Sequence, residues 1–233
     1  MLADLLDACT YKLPSLRKIL CGGAGLAASV TQRMRVHGIE AFGCYGLTEC
    51  SPCVSVNRDS WHKDGSCGVA LRCNEVRVGE SGEVLVRGAN VMAGYLGRPE
   101  LTAARIDGDG WLHTGDVGHI DKDGFLYVDG RLDDVIVLAD GTMVAPEVLE
   151  RALGAHPAIA QALVYGMPDK RSGQIVLACK LVLRDGADDT AERAAIDFAR
   201  SVQTPDGARI EHVKVSCEPL PLSPAGKLLR RQA

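Results

Sequence analysis

The chain has 233 residues, 46% of them hydrophobic and 24% charged, the balance of a folded globular protein and not of a disordered one. Lys and Arg number 26 against 30 Asp and Glu, and the net charge of −4 is spread evenly, which argues against nucleic acid as a partner. No apolar run approaches the ~20 residues of a membrane span, and Asp4 and Asp7 stand where a secretion leader would be basic and then apolar, so the expected setting is cytoplasmic.

The first segment reads as α/β. Residues 19–21 make a short buried strand, Gly22-Gly23-Ala24-Gly25 a turn, and Leu26, Val30 and Met34 recur on one helical face until Gly38 stops the helix. A second strand at 41–44, parallel to the first, leads into a polar loop over 45–57. From about 65 to 128 the pattern turns antiparallel. Glu75-Val76-Arg77-Val78 alternates polar and apolar, residues 83–87 partly repeat it, and Asp121-Lys122-Asp123-Gly124 turns the chain into Phe125-Leu126-Tyr127-Val128. A small barrel is the expected shape there.

A third region begins near Gly130. It reads as a strand at 135–138, a helix opened by Pro146 and stopped by Pro157 with Val148, Leu149, Ala152 and Leu153 facing inward, and strands at 159–165 and 175–183. Ala191, Ala194, Ala195, Phe198 and Val202 mark a further helix, and a strand at 213–216 precedes a Pro/Gly tail. The expected class is therefore α/β and α+β. A parallel α/β segment (1–60) and an antiparallel β subdomain (61–129) share one domain, followed by a separate α+β domain (130–233).

Three constellations invite a chemical reading from spacing alone. The nine cysteines are an odd number that suits reduced thiols, although Cys50 and Cys53 form C-x-x-C and Cys67 with Cys73 could complete a zinc site. Five residues separate the second pair and Pro52 stiffens the first, so small buried side chains are the plainer reading. His113, Asp116 and His119 have the spacing of a metal-binding helix, but Gly115 and Gly118 argue against a helix there. Gly23-x-Gly25-x-x-Ala28 between strand and helix fits a dinucleotide fingerprint with Glu40 as the ribose acid, which would make a nicotinamide-dependent oxidoreductase. Glu40 precedes its strand instead of ending it, and a tight turn without ligand explains the glycines equally well.

Five motifs read in order are more specific. Tyr45-Gly46-Leu47-Thr48-Glu49, then Gly82-Glu83 with Val86-Arg87-Gly88 and Gly94-Tyr95, then Gly110 to Asp116 (Gly-Trp-Leu-His-Thr-Gly-Asp), then Gly130-Arg131-Leu132-Asp133-Asp134, and last Pro224-Ala225-Gly226-Lys227 together resemble the acyl-adenylate-forming superfamily of AMP-binding enzymes. Within it, residues 135–150, with Val144-Ala145-Pro146-Glu147, look most like fatty acyl-CoA ligases.

That resemblance implies a ligase acting on a carboxylic acid, with ATP, Mg²⁺ and coenzyme A, through an acyl-AMP. Tyr45 would stack on adenine against the Gly22-Gly23-Ala24 backbone, with Gly46 beside it, and Thr48 would meet the α-phosphate. Glu49 would hold Mg²⁺, Asp116 the ribose hydroxyls, and Arg131 the sugar or phosphate. Lys227 would carry the adenylation step as a charge reaching carboxylate and α-phosphate together. Asp133 would be the hinge of a rotating C-terminal lid, and Gly141, Thr142, Met143 and Val144 the loop that meets coenzyme A. Tyr95 and Trp111 are assigned to packing. Singly, most of these are ordinary loop or surface residues; the ordered set outweighs that reading.

The family's Ser/Thr/Gly-rich phosphate loop does not occur before Leu20. The expectation is that the chain needs an N-terminal portion or partner chain, or is a silent adenylate-binding module. Its first strands should then leave an apolar edge exposed.

Overall fold

The computed structural model describes residues 15–23, 25, 26, 28–223 and 228–230. It divides into two compact units, one ending at Asp129 and one starting at Gly130.

In the first unit, strand β1 (Lys18–Cys21) and β2 (Glu40–Gly46) are parallel, with Lys18 opposite Glu40, and helix α1 (Ala28–Val36) makes the crossover that parallel strands require. Met34, Ile39 and Ala41 are buried and Leu26 and Val30 pack on them, so the apolar spacing read from sequence is the face that covers the sheet. Gly38 takes a φ of 73°, which ends the helix. β1 is an end strand of this sheet, and Leu20 on it is 60% exposed.

The stretch 45–57 is not a loop. β2 runs on to Gly46, a 3-10 turn follows at Thr48–Cys50, and β3 (Cys53–Val56) returns antiparallel to β2. The hairpin is tight because Gly46 lies against the chain at Pro52, where a Cβ would come within 1.8 Å of the carbonyl oxygen. β4 (Val69–Ala70) completes the order β1-β2-β3-β4.

The second sheet has the order β5 (Asn74–Val78), β6 (Glu83–Gly88), β7 (Leu112–Ile120), β8 (Leu126–Arg131), an open sheet in place of the expected barrel. Backbone bonds between Cys67, Gly68 and Leu126 join the two sheets. Helix α2 (Pro99–Arg105) lies between β6 and β7. Val54, Val84, Val86, Leu112 and Leu126 form the shared core with Tyr45 and Cys50.

In the second unit a 3-10 turn (Leu132–Asp134) leads to a hairpin of β9 (Ile136–Val137) and β10 (Met143–Val144), shorter than the strand expected at 135–138. Helix α3 (Pro146–Leu153) opens on Pro146 and ends at Gly154, three residues before Pro157. β11 (Ile159–Pro168) and β12 (Ile175–Leu183) are antiparallel. Helix α4 (Asp189–Ser201), capped by the Asp188 carboxylate that accepts from the Ala191 N–H, crosses over to β13 (Ile210–Ser216), parallel to β12. Leu149, Leu153, Leu177, Leu181, Ala195 and Ala199 lie in the core between sheet and helices. Among the described residues no helix is long and apolar enough to cross a membrane.

Candidate functional site

Three of the sequence motifs meet in the first unit. Tyr45 sits on β2 with its ring in the core, and its hydroxyl donates to Asp116 Oδ2 on β7 at 2.6 Å. Burial first, and the adjacent Asp116 carboxylate second, hold the Tyr45 phenol well above its ordinary pKa, so it remains a donor. The Asp116 N–H donates to Thr114 Oγ1 (3.1 Å), and the Thr114 hydroxyl donates to the Val84 carbonyl (2.7 Å). Glu83 accepts from the Gly115 N–H at 2.8 Å and faces His113 Nδ1 at 2.9 Å. Gly115 takes a φ of 70°, a bend that an L side chain resists. Asp116 is therefore a buried residue whose carboxylate accepts from Tyr45 and whose backbone is tied to Thr114.

Glu49 follows the same plan. Tyr95 donates its hydroxyl to Glu49 Oε1 at 2.7 Å, and that bond is the main reason the Tyr95 phenol is raised. The Met92 N–H fixes the Glu49 backbone at 2.8 Å. Tyr95 was expected only to pack; no local pattern announces a partner 46 residues away. Trp111 does pack, buried beneath the guanidinium groups of Arg77 (4.0 Å) and Arg87 (4.5 Å).

The glycine turn is shaped by its neighbours. A Cβ on Gly22 would lie 2.7 Å from Cys44 Sγ, and Gly23 has a φ of 81°. Ala24 lies outside the described residues. Thr48 is exposed at the start of its 3-10 turn. Glu40, the candidate acid of a dinucleotide site, is engaged by Arg35 Nε at 3.1 Å.

His113, Asp116 and His119 lie along strand β7, not on a helix, and have separate partners in Glu83, Tyr45 and Asp129. Cys50 is fully buried, and burial pushes its thiol up to about 11. No group of three or more His, Cys, Asp or Glu suited to a metal occurs among the described residues.

In the second unit Arg131 and Asp133 are exposed, at the end of β8 and in the 3-10 turn. Gly141 (φ 86°) turns the β9–β10 hairpin, closed by the Leu138 N–H donating to the Thr142 carbonyl at 2.9 Å. Met143 is half-exposed, and Val144 is buried in the core. Lys227 lies outside the described residues.

Sequence reasoning missed Arg230, which three acids of this unit surround. It grips Glu150 through two bonds of 2.8 and 2.7 Å, and lies 3.1 Å from Glu147 Oε1 and 3.3 Å from Asp134 Oδ2. Burial alone would lower its pKa, and the bonds and charges of Glu150 and Glu147 together outweigh that.

The description AMP-binding enzyme matches residues 1–96, and AMP-binding enzyme C-terminal domain matches 148–227. A 4-coumarate:CoA ligase of Petunia hybrida is 34% identical over 95% of this chain and 43% of its own length. A 4-coumarate–CoA ligase of Glycine max is 35% identical over 97% of this chain and 82% of its own. Among solved structures, an anthranilate CoA ligase in complex with anthranoyl-AMP superposes with a TM-score of 0.84 at 26% identity, over 98% of this chain and 46% of that one. The o-succinylbenzoate coenzyme A synthetase of Bacillus subtilis with ATP and magnesium gives 0.82 at 31% identity, over 99% and 49%. The chain thus spans less than half the length of most of these relatives.

Proposed function

This chain belongs to the AMP-binding enzyme family, and from that premise we propose that it supplies the nucleotide grip and the lid of an acid–CoA ligase. The observation that carries the reading is that three separate motifs meet on β7, where the Tyr45 hydroxyl donates to the buried Asp116 carboxylate and Glu83 holds the adjoining Gly115 N–H. A buried acceptor-only group held in place by a neutral donor suits the two adjacent hydroxyls of a ribose.

In the proposed reaction a carboxylate oxygen of the acid attacks the α-phosphorus of ATP, the bond to pyrophosphate breaks, and an acyl-AMP results. The thiol of coenzyme A then attacks the acyl carbon and expels AMP. Asp116 holds the ribose, Tyr45 keeps that carboxylate turned and stacks its ring on adenine, and Thr48 meets the α-phosphate. Arg131 contributes a planar fork to sugar or phosphate. Glu49, an oxygen donor fixed by Tyr95, fits Mg²⁺, whose charge would offset that of the phosphates. Lys227 stabilises the charge that grows during adenylation. Asp133 is the pivot of the lid, and the Gly141 to Val144 hairpin is its coenzyme A face. The exposed edge at Leu20 is where an N-terminal portion or a partner chain adds to the sheet. The free thiols among the described cysteines accord with a cytoplasmic setting.

The test supplies the chain with ATP, Mg²⁺, coenzyme A and an acid panel, with and without an N-terminal fragment of a homologous ligase. Aromatic acids of the relatives' kind stand beside medium- and long-chain fatty acids and decide the acid. Lys227→Ala lowers pyrophosphate release by roughly a hundredfold or more and leaves AMP binding within about twofold. Thioester formed by the chain alone excludes a silent module; adenylation unchanged by Lys227→Ala overturns the ligase reading.

A further inference from the structure

Two described segments, 221–222 and 228–229, lie against each other: Leu222 bridges to Leu228, and the Leu229 N–H donates to the Pro221 carbonyl at 2.9 Å. Next to them, Arg230 reaches three acids at once. Its fork is paired with Glu150, whose Oε1 also accepts the Val164 N–H at 2.7 Å, so the guanidinium is locked to both α3 and β11. The same group lies beside Asp134, in the turn that contains Asp133, and beside Glu147. Glu147 in turn presses on Gly130: a Cβ there would lie 2.1 Å from Glu147 Oε2, an oxygen with no hydrogen-bond partner among the described residues.

We propose that Arg230 is a positioning residue that holds the Leu228 to Arg230 segment, which follows Lys227 in sequence, and the Gly130 to Asp134 turn as one piece with α3. The role assigned to Lys227 rests on the ligase reading; the mechanical coupling does not. A planar guanidinium suits this junction because two parallel bonds fix its orientation, which a lysine at the same position cannot do. If the lid turns about Asp133, residues 228–230 then move with that turn instead of trailing it.

Site-resolved hydrogen exchange on the intact chain tests this. In Arg230→Gln the Leu229 and Val135 amides exchange about tenfold faster, while Leu177 and Leu181 in β12 change less than about twofold. Arg230→Lys, which keeps the charge and loses the fork, falls between and serves alone if the glutamine variant does not fold. A uniform rise across the domain would show a general stabiliser and overturn the proposal, as would no change at Leu229 or Val135. Lys227→Ala leaves the exchange pattern as in the parent. Its effect on adenylation therefore decides the ligase reading separately.

Discussion

Asp116 and Glu150 are both carboxylates fixed by residues distant in the chain, but by opposite means. Asp116 is held by a neutral phenol at 2.6 Å, and Glu49 likewise at 2.7 Å. Glu150 is held by a guanidinium that also lies against Glu147 and Asp134. A hydroxyl orients an acid without cancelling its charge, so the two carboxylates of the first unit stay negative where they are held, as the proposed ribose and Mg²⁺ roles require. A buried fork cancels the charge, and the second unit uses its acids to brace helix, strand and turn.

If that contrast is right, removing the acid should unfold the second unit but only weaken ligand binding in the first. Glu150→Ala leaves Arg230 buried beside an incomplete set of partners and removes the acceptor of the Val164 N–H. It should cost about 3 kcal/mol in urea unfolding of the second unit's transition, the largest effect expected here. A loss below about 1 kcal/mol would place this cluster with ordinary surface pairs.

Tyr45→Phe sharpens the other side. The ring stays in the core and the donor is lost, so AMP affinity should fall about tenfold, the size of one hydrogen bond to a charged group. Calorimetry with AMP and its 2′-deoxy analogue separates this from loss of packing. A positioning role narrows the gap between the two nucleotides, whereas a packing defect weakens both alike.

The contrast was only half legible in the sequence. Asp116 and Glu49 stand in ordered motifs, and the helix face of Leu26, Val30 and Met34 follows from spacing alone. The pairings that hold acids are not legible: Tyr45 stands in a motif of its own but lies 71 residues from Asp116, and Arg230 lies 80 from Glu150. Such pairs are set by strand register and helix packing, which no local pattern records. β3 was hidden because it buries Ser55, whose hydroxyl is satisfied by the Cys67 carbonyl at 2.9 Å. β7 was hidden by its glycines, yet Gly118 is there because the neighbouring strand passes close by: a Cβ would lie 2.2 Å from the Tyr127 carbonyl oxygen.

Tyr95→Phe should act more weakly than Tyr45→Phe. Glu49 is only half-buried, and its backbone remains fixed by Met92. The Mg²⁺ concentration that half-saturates ATP binding should rise roughly threefold, below the tenfold or more usual when the partner of a metal ligand is removed. No change in that midpoint, with ATP affinity in the absence of Mg²⁺ also unchanged, would detach Glu49 from the metal.

The smallest effect is expected at Glu147, where the two modes of holding an acid come into conflict. Desolvation raises its pKa above the ordinary 4.5 even though Arg230 pulls the other way. A carboxyl raised in the folded state binds its proton more tightly there than in the unfolded chain. Stability from this group is therefore greatest below the unfolded pKa and declines as pH rises through the folded one. Glu147→Gln removes that decline but also the contact with Arg230. Relative to the parent it should lose stability at pH 4 and regain it towards neutrality, with a net difference at pH 7 below about 1 kcal/mol. Urea midpoints measured across that range would show the two curves converging as pH rises. A variant that falls further behind with rising pH would mean that the charge is welcome at this position, and that the attraction of Arg230 outweighs burial after all.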